Sequence, residues 1–303
     1  MNGLYCRPCG LILILATMIT GCATQKFTVE TAQMAAQKGD PRAQYFLGRA
    51  YAKGEGVPQD YDKAIQYLRQ SADQGYAKAE NNLGVLYAQG LGVPRQYVEA
   101  VKWFRRVADQ GDPLAQYSLG LSYSTGRGFE TNMVEAVKWF ERSARQRELR
   151  AELALADIYL GGRGLPADYQ AALKWSEKAA GQGSASALNT IGYIYEQGGP
   201  GVARDPKKAY EYYLKAANLG DGKAQMNLGR LYRDGTAVPK DLVQADMWFI
   251  LAARHGASVA RHYQEELEDS AANGTAQLTP EQIDEAGRRA NEFQMSLAKQ
   301  QKN

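Results

Sequence analysis

Small, apolar and aromatic residues recur along most of the chain at the spacing of amphipathic helices. Ala43, Leu47, Ala50 and Tyr51 fall on one face of a helix with 3.6 residues per turn, as an amphipathic helix requires. A glycine and a proline follow this stretch, and Asp60 then offers an N-cap for the next helix. The pattern therefore predicts two consecutive helices joined by a short turn.

This pair of helices repeats six times, with a period of 36 residues that one inserted residue in the fifth unit lengthens to 37. An alanine marks the same place in every first helix: Ala43, Ala79, Ala115, Ala151, Ala187 and Ala224. A tyrosine follows eight residues later in every unit: Tyr51, Tyr87, Tyr123, Tyr159, Tyr195 and Tyr232. The second helices share an alanine column: Ala64, Ala100, Ala136, Ala172, Ala209 and Ala245. Three residues after it comes a bulky aromatic column: Tyr67, Trp103, Trp139, Trp175, Tyr212 and Trp248.

Glycine lies in the middle of the first helix in five units, at Gly48, Gly84, Gly120, Gly192 and Gly229. A glycine inside a helix costs about 0.5–1 kcal/mol relative to alanine. We expect close approach of a neighbouring helix to offset that cost, while the tyrosine and tryptophan columns fill the space between layers. Because no unit can bury both of its helix faces alone, the units should stack into a curved solenoid.

The shared pattern Ala-Gln-Tyr-x-Leu-Gly-x-x-Tyr-x-x-Gly-x-Gly-Val-x-x-Asp, followed by Lys-Ala and Trp-Phe, resembles that of the Sel-one-like repeat family. That family consists of α-solenoid relatives of the tetratricopeptide repeats. The resemblance implies an all-α fold: a right-handed α/α superhelical solenoid of six 36-residue helix-turn-helix repeats with terminal capping helices. We predict an N-terminal capping helix in residues 29–40, the repeats in 41–256, and C-terminal capping helices in 257–303.

The N-terminus carries an apolar run, residues 11–20, that is too short to span a hydrocarbon core about 30 Å thick. Residues 19–22 read Ile-Thr-Gly-Cys and resemble a bacterial lipobox. We therefore predict that residues 1–21 are a lipoprotein signal peptide, that Cys22 is acylated, and that 22–28 form a tether. A signal peptide without lipidation, or a short anchor with Cys22 as an ordinary thiol, is the alternative.

Ala23 follows the predicted lipid-bearing cysteine, which resembles lipoproteins that are passed on to the outer membrane. The expected location is thus the cell envelope, with the chain lipid-anchored to the outer membrane and facing the periplasm. Cys6 and Cys9 would leave with the signal peptide and would form neither a redox motif nor a metal motif.

Composition argues against several functions. The net charge is +3, from 36 basic and 33 acidic residues, which gives no electrostatic case for a nucleic-acid partner. The two histidines, His255 and His262, lie near a predicted helix end and are most simply solvated. We predict no catalytic residue, no metal site and no cofactor, so the chain is not expected to be an enzyme.

The face of each first helix opposite the alanine column varies between units, so stacking does not dictate it. The candidate partner-binding residues on this face are Arg42, Phe46, Arg49, Lys53, Lys78, Asn82, Gln89, Tyr193, Asn227 and Arg230. In tetratricopeptide-like solenoids the first helices line the concave surface, so the resemblance implies a groove for a protein or peptide. Its basic end, with Arg42, Arg49, Lys53 and Lys78, would receive acidic segments. A merely solvated face is the alternative.

Together these features favour a membrane-tethered periplasmic scaffold or adaptor lipoprotein that binds a protein or peptide partner. Lipidated members of the resembled family suggest an envelope or exopolysaccharide-export assembly as its setting. The alternative is an envelope protein that binds or hydrolyses cell-wall glycan or an antibiotic. Secreted relatives linked to β-lactam binding carry a cysteine pair in each repeat, and this sequence lacks those cysteines.

The anchor prediction can be tested by fractionating cells that produce Cys22→Ser. We expect this variant to keep its signal peptide and to be lost from the outer-membrane fraction, because several acyl chains anchor a protein durably whereas none remains in the variant. Cys9→Ser, in the predicted signal peptide, is the matched control and should fractionate like the parent. Membrane retention and normal processing of Cys22→Ser would show that the lipoprotein interpretation is wrong.

Overall fold

A computed structural model describes residues 27–269 and 278–300, which form fifteen helices and no strand. The helices are α1 (Val29–Gln37), α2 (Pro41–Lys53), α3 (Tyr61–Asp73), α4 (Ala77–Gln89), α5 (Tyr97–Asp109), α6 (Pro113–Thr125), α7 (Met133–Arg145), α8 (Leu149–Gly161), α9 (Tyr169–Ala180), α10 (Ala185–Gln197), α11 (Pro206–Asn218), α12 (Gly222–Asp234), α13 (Leu242–Arg254), α14 (Ser258–Asp269) and α15 (Pro280–Gln300). The all-α fold predicted from the sequence is confirmed. Cys22 and the predicted signal peptide lie outside the described residues.

The helices belong to two compact units. The first unit holds the described residues up to Leu86 together with Gly90–Pro94, and the second holds Tyr87–Gln89 and the described residues from Arg95 onwards. In the first unit α1 packs on α2 and α2 on α3. In the second compact unit each helix from α5 to α13 packs on the next, and α14 and α15 both pack on α13. Among the described helices, none combines the length and the apolarity needed to cross a bilayer.

Polar side chains and glycines set the helix ends at the places the sequence indicates. Asp60 caps α3 by accepting a hydrogen bond from the Lys63 backbone N–H at 3.0 Å. The same cap is formed on later second helices by Asn132, Asp168, Asp205 and Asp241. Gly54 ends α2 with a φ of 73°, a left-handed conformation that glycine adopts without steric cost.

Alanine forms the centre of the helix pairs. The twelve alanines of the two alanine columns are all at most 1% exposed. Their small side chains let two helices approach closely, and larger residues one turn away, such as Leu47 and Leu68, fill the remaining space.

The glycine column lies where the second helix of a unit comes closest to the first. A Cβ atom on Gly120 would lie 2.7 Å from Cδ1 of Phe140, and one on Gly192 would lie 2.6 Å from Cδ1 of Tyr213. These separations are too short for carbon atoms that are not bonded to each other. The close approach of the two helices that the sequence predicts is therefore present. In the fourth unit the glycine is replaced by Ala156, and the small Ser176 stands where other units have Phe140 or Tyr213.

A partly buried amide contact recurs at the other end of the helix pairs. Gln74 Nε2 donates to Gln44 Oε1 at 2.7 Å, and Gln146 Nε2 donates to Gln116 Oε1 at 3.0 Å. Variants of the same contact are Gln182 with Glu152 and His255 with Gln225. The fifth unit has leucine at both positions, Leu188 and Leu219. Both partners change together there, which avoids leaving one buried polar group unsatisfied.

The close contact at Gly120 predicts that replacing this helical glycine with alanine destabilises the protein. Gly120→Ala should lower the free energy of unfolding by about 1–3 kcal/mol, because the added methyl group overlaps the Phe140 ring and overpacking outweighs the gain in helix propensity. Urea unfolding of the purified chain measures this. In a Phe140→Ser background, which copies the fourth unit, the loss should largely disappear and give a clear coupling energy in a double-mutant cycle.

Gly287→Ala is the matched control, because a Cβ on Gly287 in α15 meets nothing within 4 Å. It should be neutral or stabilise the chain by about 0.5–1 kcal/mol, as glycine-to-alanine changes in unobstructed helices do. A Gly120→Ala protein that is as stable as its parent would contradict the close-approach explanation.

Candidate interaction surface

The first-helix stripe, defined as the ten candidate residues of the first helices named above, begins on α2 and α4. Arg42 lies 3.6 Å from Asp40, and both Arg49 and Lys53 reach Glu55, at 3.5 and 3.4 Å. Lys78 is exposed and forms no ion pair within the described residues. The positive charge expected at this end is therefore partly neutralised by Asp40 and Glu55. Each of these exposed pairs contributes little to stability, about 0–1 kcal/mol.

The remaining stripe residues of the first two repeats differ in accessibility. Phe46 is half-buried because its ring lies 5.8 Å from that of Phe27 and packs on the cluster containing Ala32 and Ala36. Asn82 is half-buried, whereas Gln89 is exposed. Only part of the predicted stripe at these helices is therefore available for contact with a partner.

In the second compact unit, side chains of α10 and α12 form a connected network of polar groups. Asn227 Nδ2 donates to Asn189 Oδ1 at 3.1 Å, and Arg230 Nη1 donates to Asn227 Oδ1 at 3.2 Å. Arg230 Nη2 also donates to Glu196 Oε1 at 3.4 Å. Asn227 is only 8% exposed. The sequence placed Asn227 on a solvent-facing stripe, and the structure corrects this: its amide is buried as the link between α10 and Arg230.

The network continues into the core through Tyr213 of α11. The Tyr213 hydroxyl donates to Glu196 Oε2 at 2.6 Å, and the ring is completely buried. Burial and this hydrogen bond raise the pKa of Tyr213 far above its ordinary value. The Glu196 carboxylate thus receives donors from both Tyr213 and Arg230, which fixes the guanidinium in place.

Sequence reasoning identified Tyr193, Asn227 and Arg230 but missed Asn189, Glu196 and Tyr213. One signal was available: tyrosine at 213 stands where the third and sixth units have phenylalanine. A hydroxyl group added at a buried position requires a hydrogen-bonding partner. That the partner is Glu196 could not be read from the spacing, because the two residues lie on different helices.

The arrangement provides groups that suit the binding of a partner. Tyr193 is 41% exposed and lies one turn from Asn189 and from Glu196 on α10. Within residues 27–269 and 278–300, no cluster of histidine, cysteine and acidic residues could hold a metal ion. His255 caps the end of α13 and contacts Gln225 through Nδ1 at 2.8 Å. Exposed tyrosine and arginine side chains are typical of protein interfaces.

Repeated helix pairs with this small-residue spacing define an α-solenoid repeat protein. The Sel1 repeat model matches residues 41–76, 77–112, 113–147, 149–184, 185–221 and 222–256. The chain therefore belongs to the Sel1 repeat family, as the sequence resemblance implied. Sel1-repeat proteins are generally protein-interaction scaffolds and are generally non-catalytic.

Two solved structures are similar over most of the chain. The uropathogenic Escherichia coli protein c5321, a protective antigen with an SLR fold, is 33% identical with a TM-score of 0.75 over 88% of this chain. A Sel1 repeat protein from Oxalobacter formigenes is 34% identical with a TM-score of 0.66 over 78% of this chain. The chain spans 56% of the length of the E. coli protein and 68% of the Oxalobacter protein. No curated protein matches the chain significantly.

The Tyr213 contact predicts an alkaline loss of stability. Because the folded-state pKa of Tyr213 is raised, its contribution is fully present below the unfolded value of 10.0 and is lost as pH rises above it. Tyr213→Phe should therefore cost about 1–3 kcal/mol at neutral pH by leaving Glu196 short of a donor. Above pH 10.0 its stability should fall less steeply than that of the parent.

Urea unfolding at a series of pH values measures both effects. Tyr193→Phe, which removes a hydroxyl from an exposed side chain, is the control and should follow the parent curve at neutral pH. If Tyr213→Phe and the parent lose stability equally between neutral and strongly alkaline pH, the assigned role of this hydroxyl is wrong.

Proposed function

We propose that this protein is a membrane-tethered periplasmic scaffold that binds a protein or peptide partner on the part of the first-helix stripe that lies in the second compact unit. The observation that carries the proposal is the network of α10 and α12, in which Asn227 and Glu196 hold the Arg230 guanidinium, while Tyr193, one turn from Glu196 on α10, exposes its ring. Stacking of repeats requires neither the arginine nor the exposed tyrosine, since the same position holds Val85, Leu121 and Asp157 in three other repeats. Groups held in advance lose little conformational entropy when a partner binds.

Neighbouring first helices extend this surface with apolar groups. Leu121 on α6 is 38% exposed, and the Arg150 guanidinium at the start of α8 lies 5.1 Å from the centre of the Tyr117 ring. Apolar and aromatic side chains interleaved with arginine suit an extended protein segment, whose side chains alternate between apolar and polar. The scaffold function of the family supports the same proposal.

The membrane attachment in this proposal rests on the lipobox-like residues that end at Cys22. A tether of residues 22–28 reaches at most about 3.5 Å per residue, so it would hold the first repeat close to the membrane surface. The proposed location is the periplasmic side of the outer membrane, and an envelope or exopolysaccharide-export assembly is the proposed setting.

The proposal is tested by site-specific photo-crosslinking in cells. A photoreactive amino acid at Tyr193 should give a discrete covalent adduct with a partner, because that side chain lies on the proposed surface. The matched control position is Val134 on α7, a second-helix residue that is 52% exposed. It should give no such adduct.

A second pair of variants separates recognition from mere proximity. Arg230→Ala should weaken the Tyr193 adduct at least about tenfold, which corresponds to about 1.4 kcal/mol of binding free energy. Arg145→Ala, which removes an exposed arginine from α7, should leave the adduct unchanged. Equal adducts from Tyr193 and Val134, or no adduct from Tyr193, would contradict binding on this surface.

A further inference from the structure

A cleft of about 500 Å³ lies beside the loop that joins α10 to α11, where the fifth unit carries its inserted residue. Leu173 of α9, Tyr195 of α10 and Val202 of the loop line it with apolar surface. Lys174, Arg204 and Lys208 bring positive charge to it. The cleft shares no residue with the first-helix stripe.

The loop that walls the cleft is held in a defined conformation. Gly199 and Val202 exchange two backbone hydrogen bonds, at 2.8 and 3.0 Å, and Gln170 Nε2 donates to the Gly201 carbonyl at 3.0 Å. A Cβ on Gly199 would lie 2.8 Å from the Tyr169 ring, so the loop closes tightly on the start of α9. Arg204 is fixed by its Nε, which donates to the Glu196 carbonyl at 2.9 Å. These contacts exist before any ligand binds, which favours tight binding.

In the third repeat, an aromatic side chain of the chain itself occupies the space that corresponds to the cleft. Phe129 stands at the register of Val202, and its ring stacks on Tyr123 with 4.2 Å between centroids and 4° between planes. The Arg105 guanidinium lies 5.7 Å from the centre of the Phe129 ring. In this unit the chain supplies its own aromatic side chain to the tyrosine column.

In the fifth repeat Tyr195 stacks on Tyr212, with 5.9 Å between ring centroids and 15° between planes. Tyr212 does not line the cleft, and no aromatic ring stands there at the register of Phe129. Val202 belongs to the cluster on which Tyr195 packs but has no ring to stack on it, and the Lys208 side chain lies over the Tyr195 ring, with Nζ 5.1 Å from the centroid. A lysine side chain moves aside readily, so an incoming ring can take the place that Phe129 has in the third unit. Stacked aromatic pairs are favourable beyond the area they bury.

We propose that this cleft binds an aromatic side chain of an extended protein segment, with an acidic residue next to it. Three cations, Lys174, Arg204 and Lys208, face two carboxylates, those of Glu177 and Asp205. Lys208 is 3.8 Å from Asp205 in the free chain. The excess of positive charge matches a partner carboxylate beside the ring, and Lys208 is the residue placed to pair with it.

The test uses methyl NMR of the purified full chain, with the dipeptide N-acetyl-Phe-Glu-amide as the probe. Resonances of Leu173 and Val202 should shift and saturate at millimolar probe, since a single side chain binds with a Kd of about 1 mM. N-acetyl-Ala-Glu-amide should bind at least about tenfold more weakly because it lacks the ring. N-acetyl-Phe-Lys-amide should also bind more weakly, because its charge has the same sign as the rim.

Two substitutions at the same register give opposite expectations. Val202→Phe should fill the cleft as Phe129 fills its own, and the probe should no longer shift Leu173. Phe129→Val should open a second cleft, so that the probe also shifts Val101, which corresponds to Leu173. Lys208→Glu, an exposed substitution that leaves the apolar surface intact, should abolish the preference for the Glu probe over the Lys probe. This variant keeps the test decisive if Val202→Phe does not fold.

Equal shifts with the Phe and Ala probes, or no shift of Leu173 and Val202 by the Phe probe, would overturn the proposal. So would shifts produced by N,N′-diacetylchitobiose but not by the Phe probe, which would indicate a glycan ligand instead. The outcome is independent of crosslinking at Tyr193, so failure here is distinguishable from failure of the proposed stripe.

Discussion

Close approach of the two helices within a unit is the constraint on which the rest of the structure depends. It requires alanine at the centre of both helices and no side chain at Gly120 or Gly192, because Phe140 and Tyr213 occupy the space a Cβ would need. Packing at this density tolerates little change in volume on one side alone. The fourth unit obeys the same constraint in a different way, with a methyl group at Ala156 and the small Ser176 in its second helix.

Simultaneous replacement of two contacting residues also occurs at the amide contact between the two helices of a repeat. Gln44 with Gln74 and Gln116 with Gln146 form the same hydrogen bond in two units, and leucine replaces both partners in the fifth. The fifth unit therefore loses a polar contact at one end of its helices and gains another, from Tyr213 to Glu196. It is also the unit with the inserted loop residue. Departures from the repeat therefore occur in the packed interior as well, where one partner changes together with the other.

These departures place two different recognition features on the second compact unit. The network of Asn227, Arg230 and Glu196 fixes polar groups on α10 and α12, and the cleft at Tyr195 offers an apolar surface with a basic rim. A scaffold benefits from such a division, since a partner segment that uses two modest sites gains affinity by linkage rather than by one large interface.

The sequence by itself determined the helices, their caps and the repeat, because a column of six alanines or six tyrosines is visible without any knowledge of position in space. It also indicated the variable face of the first helices. It misplaced Asn227, however, and it missed Glu196 and Tyr213 as partners. Helical periodicity reports the direction in which a side chain leaves its own helix. Burial and hydrogen bonding depend on what the adjacent helix places opposite, and only the tertiary structure brings Asn189 to Asn227 and Tyr213 to Glu196.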